Sequence, residues 1–186
     1  MVQLTSLALA FAASFTGAQA GTCAACNPAS IIQDGSFEDA SSTAWTFDSG
    51  VTVESNAPGA DYAVTGNNYV SFDVSDREDY ERYGITQQLA GVKPNTRYTL
   101  QYTYDLTDAS GIYDGGVDAT VTLDGVQVDY VSLVGQDSQG IATPRSVTVT
   151  PTSASPVLYI SWGGSGDYYY GATIAMDDIS MELLCQ

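Results

Sequence analysis

The sequence predicts an all-β fold, a sandwich or barrel of antiparallel strands. Three features point to it. Apolar and polar residues alternate in short runs; Gly, Asn, Asp and Pro separate the runs; and no stretch beyond residue 20 repeats apolar residues at i, i+3, i+4 and i+7. Many short strands with no helix to cover a sheet face must bury sheet against sheet.

The first twenty residues stand apart. Residues 2–20 have an apolar centre, no charge and the small-x-small ending Ala18-Gln19-Ala20. That is the pattern of a secretory signal cleaved after Ala20. The stretch is too short and too rich in Ser, Thr and Gln to anchor in a bilayer. The expectation is an exported, extracellular protein with no membrane-inserted segment. Residues 21–186 then form one domain, undivided by repeat or linker.

Along that domain, "IIQDGSFE" (31–38), "AWTF" (44–47), "VTVES" (51–55), "YVSFDV" (69–74) and "YGITQQL" (83–89) read as short strands. "RYTLQYTYDL" (97–106) puts Tyr98, Leu100, Tyr102, Tyr104 and Leu106 on one face and Thr99, Gln101, Thr103 and Asp105 on the other. The first set reads as core. "VDATVTLDGVQVDY" (117–130) alternates and then turns at Asp124-Gly125, a hairpin dipeptide. "RSVTVT" (145–150), "VLYISW" (157–162) and "TIAMDDISMELL" (173–184) complete the set. Tyr159 takes the opposite parity to Leu158, Ile160 and Trp162 and should point outward, as should Thr86 and Gln88. In "GDYYYGA" (166–172), counting back from Met176 puts Tyr168 and Tyr170 inward and Tyr169 outward. The charged run 75–84 reads as a solvated loop at the border of a cleft.

Composition narrows function. Five basic residues against 22 acidic ones give a net charge of −17, which repels nucleic acid and anionic membranes. The three cysteines, Cys23, Cys26 and Cys185, should pair in an oxidising compartment. A bridge from Cys26 or Cys23 to Cys185 ties the termini and closes a loop of about 160 residues, worth roughly 4–5 kcal/mol. Cys26 is favoured because it adjoins the first run, and a Cys23–Cys26 pair is the competing arrangement. With no histidine there is no Ser-His-Asp or Cys-His constellation, and the five glutamates form no evident carboxylate pair of the kind glycoside hydrolysis uses. A non-enzymatic, monomeric protein is expected, with a glycoside hydrolase the least favoured alternative. Thirteen tyrosines and two tryptophans suit ring stacking against sugars, and an acidic, tyrosine-rich surface equally suits a secreted adhesin or effector that binds proteins.

Three stretches together resemble the CenC-type carbohydrate-binding modules of fungal and bacterial secreted proteins: "IIQDGSFED" (31–39) followed by Trp45, "ITQQLAGVKPNTRYTLQYTYDL" (85–106), and "IAMDDISMELL" (174–184). The resemblance implies a jelly roll of the galactose-binding-like class whose first and last strands lie together. It implies a structural calcium ion there, held by Glu38 and Asp177, with the carbonyl near Ser36 and the acid Asp61 completing an oxygen shell. It implies that Gln87, at the family's glutamine, is a buried hydrogen-bonding residue. It also implies a glycan chain bound on an open sheet face; the net charge of −17 favours a neutral chain, and outward parity makes Gln88, Gln101, Thr103, Asp105, Tyr159 and Tyr169 the candidate contacts. Where the family has Asn before Gly-x-Phe-Glu, this chain has Asp34.

Overall fold

The computed structural model describes residues 29–56, 62–74, 82–108, 116–134, 140–165 and 171–184. They form ten strands: β1 (Thr46–Phe47), β2 (Val51–Ser55), β3 (Asn68–Val74), β4 (Arg82–Gln88), β5 (Tyr98–Asp108), β6 (Gly116–Leu123), β7 (Val126–Val134), β8 (Thr143–Val149), β9 (Val157–Ser165) and β10 (Ala172–Leu183). The first sheet runs β1-β4-β9-β6-β7 and the second β2-β3-β10-β5-β8, with every pair antiparallel. This is the antiparallel jelly-roll sandwich that the sequence predicts.

Period-two alternation builds the core. Val70 and Phe72 of β3, Leu100 and Leu106 of β5, Val117 and Val121 of β6, and Leu158 and Ile160 of β9 belong to one buried cluster between the sheets. Tyr98, Tyr102 and Tyr104 join it, as parity requires. Tyr104 meets Trp162 edge to face across the sandwich, ring centroids 5.3 Å apart. At the β6–β7 turn, Asp124 and Gly125 take φ of 50° and 75°, the left-handed pair a two-residue hairpin needs.

Two expectations need correction. The run 31–38 alternates like a strand but forms bends and turns, with Asp34 and Phe37 at φ of 49° and 57°. It still lies beside the last strand: Ile31 N donates to Met181 O and Ile179 N to Gly35 O, both at 2.9 Å. A Cβ on Gly35 would sit 1.8 Å from the Ile179 carbonyl oxygen, so the approach is too close for an ordinary ladder. The second correction concerns Arg82, expected in a loop, which opens β4; Tyr83 and Gly84, which the sequence places both in the run 75–84 and in the strand 83–89, belong to the strand. The signal stretch, Cys23, Cys26, Cys185, Asp61 and Tyr168–Tyr170 lie outside the described residues.

One polar cluster joins the sheets at the edge where β7 and β8 meet. The buried Tyr102 hydroxyl donates to Asp129 Oδ2 at 2.8 Å, and Arg145 donates to the same carboxylate through Nη2 (2.7 Å) and Nε (3.3 Å). Burial pushes the Asp129 carboxyl up, but the hydrogen bonds from Arg145, Tyr102 and the Tyr130 N–H outweigh it and hold it below the usual range. A depressed carboxyl stabilises the fold fully above its unfolded value, and that stability is lost as pH falls through the folded value. Tyr102→Phe should therefore cost about 1–2 kcal/mol in urea unfolding near neutrality, and the deficit should shrink in acid as Asp129 protonates.

Candidate functional site

The two outer faces of the sandwich differ. That of the second sheet is partly covered. Tyr62 and Ala63 pack over Tyr69 and Ala175, and segment 29–36 runs beside β10. Asp105 faces outward as its parity requires, yet it is only 5% exposed because the backbone at Gly140 and Ile141 lies over it. Burial pushes its carboxyl up, the two N–H groups offset this only in part, and Oδ1 has no partner. Asp105 is thus no member of an exposed binding row. Gln101 is exposed and Thr103 half-buried, and both line a cavity on this face.

The outer face of the first sheet is arranged in rows by strand register. Arg82, Gly163, Asp118 and Ser132 form one row; Gly84, Ser161, Thr120 and Tyr130 the next; and Thr46, Thr86, Tyr159, Thr122 and Gln127 the third. Arg82 reaches across Gly163 to pair with Asp118, donating also to Ser161 Oγ at 3.1 Å and the Asp118 carbonyl at 3.0 Å. A glycine at position 163 leaves room for that crossing.

Tyr159 is placed with equal care. Its ring lies over Gly84, where a Cβ would meet ring atom Cε2 at 2.3 Å. Asp48 Oδ2 accepts from the Tyr159 hydroxyl at 3.1 Å and from Gly84 N at 3.0 Å. Burial and then the Asp48 charge push the Tyr159 phenol above its usual range. Tyr130, 49% exposed, stands two strands across and one row along, roughly 12 Å away by strand spacing and rise. Between and beside the rings, the hydroxyls of Thr86, Thr120 and Thr122 bond to no other described residue. This platform offers two ring faces and neutral polar groups, the chemistry that fits sugar C–H faces and hydroxyls.

The expected contacts are therefore divided. Gln88 and Tyr159 share the first sheet's outer face, and Gln88 donates to the Ser155 carbonyl. Gln101 and Thr103 are on the opposite face of the sandwich, so one short ligand cannot touch both sets. Sequence reasoning missed Arg82, Gly84, Asp48, Asp118 and Tyr130. Parity alone turns Asp118 outward among Val117, Ala119 and Val121, but nothing local pairs it with Arg82.

Glu38 and Asp177 each hold backbone of one segment, residues 64–68. Glu38 Oε1 accepts from Asn67 N (2.8 Å) and Asn68 N (2.6 Å), and Asp177 Oδ2 from Val64 N (2.7 Å) and Thr65 N (3.0 Å). Asp177 is 1% exposed, and its Oδ1 has no partner. Burial pushes its carboxyl up despite the N–H groups of Thr65, Asp178 and Val64. Gln87, also buried, clasps Gln33, accepting from its N–H and donating to its carbonyl at 2.9 Å each, as the resemblance implied.

No protein-family model matches the chain, and no curated protein is similar to it in sequence. Solved structures are similar in fold. A Stig cyclase from Fischerella sp. TAU is 17% identical with a TM-score of 0.59, over 85% of this chain and 98% of that one. The CBM22-1 xylan-binding domain of Paenibacillus barcinonensis Xyn10C is 19% identical with a TM-score of 0.55, over 88% and 99%. A family 61 carbohydrate-binding module in complex with β-1,4-galactotriose is 15% identical with a TM-score of 0.52, over 84% and 99%. The shared feature is the jelly-roll sandwich, a scaffold on which both binding modules and cyclases are built.

Gly84→Ala tests the placement of Tyr159. The new methyl must displace the ring, a flexible side chain, so the melting temperature should change by only a few degrees, as for about 1 kcal/mol. The ring resonances of Tyr159 should move, and its phenol should titrate closer to its ordinary value of about 10 once it leaves Asp48. Unchanged ring resonances would show that the ring does not depend on Gly84.

Proposed function

We propose that this chain is a secreted, non-catalytic carbohydrate-binding module of the CenC type that grips a neutral glycan chain on the outer face of the first sheet. One observation carries the reading: Tyr159 and Tyr130 stand further apart than one sugar ring, on an open face with threonine hydroxyls between and beside them. That spacing suits an oligosaccharide rather than a monosaccharide. The solved modules that bind galactotriose and xylan support it by likeness of fold. The ligand is neutral because the one arginine on this platform is already paired with Asp118, and a chain of net charge −17 repels polyanions. An acid-catalysing reading would draw on the raised carboxyl of Asp105, but that group is sealed beneath residues 140–141 and lines neither described cavity.

Affinity electrophoresis against xylan, β-1,4-galactan and mixed β-glucan tests this. At least one should retard the protein, with little dependence on salt. Tyr159→Ala and Tyr130→Ala should each weaken binding by about 1–2 kcal/mol. If no neutral glycan retards the chain while a protein partner binds saturably, the module is an adhesin instead.

The reading includes a structural calcium ion between Glu38 and Asp177. The donor set fits: two carboxylates from distant segments converge on one turn, and a buried carboxylate oxygen lacks a partner. Among the described residues no group of three or more acidic, histidine or cysteine side chains gathers to hold a metal. Further oxygens must then come from carbonyls such as Ser36, from water, or from Asp61. The ion would neutralise two converging carboxylates and fasten the turn to both ends of the domain. Calcium should raise the melting temperature of chelator-treated protein by mass action, and Asp177→Asn should abolish that response. Identical melting curves in chelator and in excess calcium would remove the ion from the account. The proposed Cys26–Cys185 bridge would join the sequence segments that flank the Ile31–Met181 hydrogen bond.

A further inference from the structure

A second cavity-borne site lies on the other side of the sandwich from Tyr159. A cavity of about 420 Å³ opens on the second sheet beside the irregularity that breaks β10 pairing between Asp177 and Ser180. Gln101 and Thr103 of β5, Ser180 of β10 and Ser36 of the first segment line it, with Pro144 and Arg145 of β8 at its side. Its size is that of a small-molecule site.

Ser30 Oγ at the cavity wall accepts from Ile32 N and Met181 N, but four other polar side chains there are uncommitted. The side chains of Gln101, Thr103, Ser180 and Ser36 make no hydrogen bond to any other described residue. The other described cavity, about 370 Å³ between Phe37, Trp45 and Phe47, is the reverse. Its polar groups are spent internally: Ser55 Oγ donates to Asn68 Oδ1, Asn68 Nδ2 to the Phe37 carbonyl, and Trp45 Nε1 to the Asp34 carbonyl. Four idle donors and acceptors converging on one concavity are what a hydroxyl-rich ligand requires.

Charge narrows the ligand further. Arg145 is held by Asp129, and the Asp178 carboxylate accepts from the Thr65 hydroxyl. The arginine is thus neutralised, whereas the carboxylate keeps its negative charge beside the cavity and disfavours an anionic ligand. Pro144 is exposed and supplies an apolar surface for C–H groups. The walls are set by backbone that resists collapse: Asp178 holds a left-handed φ of 54°, and Gly35 abuts the Ile179 carbonyl.

We propose that this cavity is a second saccharide site, taking one or two neutral sugar units. The cavity faces away from the Tyr159–Tyr130 platform, so a chain with both sites bridges two glycan chains. The cavity assignment stands without the platform, and only the bridging rests on the reading of the first sheet as a glycan face.

Amide NMR on residues 21–186 with xylotriose, β-1,4-galactotriose and cellotriose as probes decides between the two faces. The Gln101 side-chain amide and the backbone amides of Ser36, Thr103 and Ser180 should shift together along one saturation curve with at least one probe. The double variant Gln101→Ala/Thr103→Val should weaken that curve about tenfold, the effect of roughly 1.4 kcal/mol. Tyr159→Ala should leave it unchanged. If no probe moves those four residues, or the double variant binds as well as the parent, the second site is overturned. Loss of shifts around Tyr159 and Tyr130 alone sinks the first-sheet reading and leaves the cavity standing. The parent should also aggregate the soluble polysaccharide that retards it, and a variant lacking either site should not.

Discussion

The carboxylate of Asp177 is the constraint on which this architecture turns. It sits buried within β10, the strand between β3 and β5, and accepts from the backbone at Val64 and Thr65. Burying a carboxylate costs several kcal/mol unless it is compensated. Here one oxygen is satisfied and the other has no partner, and burial pushes the group up despite the N–H groups that face it. From that point outward, Glu38 seizes the far side of the same turn, β10 breaks register beyond Asp177, and the resulting irregularity receives the first segment at Gly35. One buried group thus links an early segment, a turn and the last strand.

The same linkage explains why the outer faces differ. The first segment, the turn at 62–65 and the backbone at 140–141 are all drawn onto the second sheet. What remains there is a walled cavity rather than a plane. The first sheet keeps its platform because small residues permit large ones to lie down. Gly84 gives room to the Tyr159 ring, and Gly163 lies beneath the arginine that reaches Asp118. Asp48 then fixes the ring by accepting from both the phenol and the strand below it.

These arrangements also separate ordinary surface from candidate chemistry. Arg82 and Arg145 are both used structurally, one to lace β4 to β6 across β9, the other to close the seam between sheets. With these two arginines occupied, the platform and the cavity offer mainly tyrosine rings, hydroxyls and a carboxamide, beside the Asp178 carboxylate. That inventory favours a neutral, hydroxyl-rich partner over a charged one, in keeping with the acidic charge of the whole chain.

Much of the fold was legible from alternation. Tyr98, Tyr102 and Tyr104 follow the inward parity of their neighbours, Tyr159 the outward parity, and Asp124-Gly125 marks its hairpin without outside help. The motifs carrying Glu38, Gln87 and Asp177 also marked residues that hold backbone distant in sequence: Gln87 clasps Gln33, while Glu38 and Asp177 hold residues 64–68. What the sequence could not show was which of two outer faces an outward residue belongs to. Parity is a local property with period two, whereas sheet membership is set by strand order, and β5 and β9 fall in different sheets. Gln101 and Tyr159 therefore look equivalent along the chain and stand on opposite faces of the sandwich. Burial of Asp105 beneath residues 140–141, the stop at 31–38 imposed by the Ile179 carbonyl, and the crossing of Arg82 to Asp118 have the same origin. Each depends on contact between segments distant in sequence, and only the packed sheets decide it.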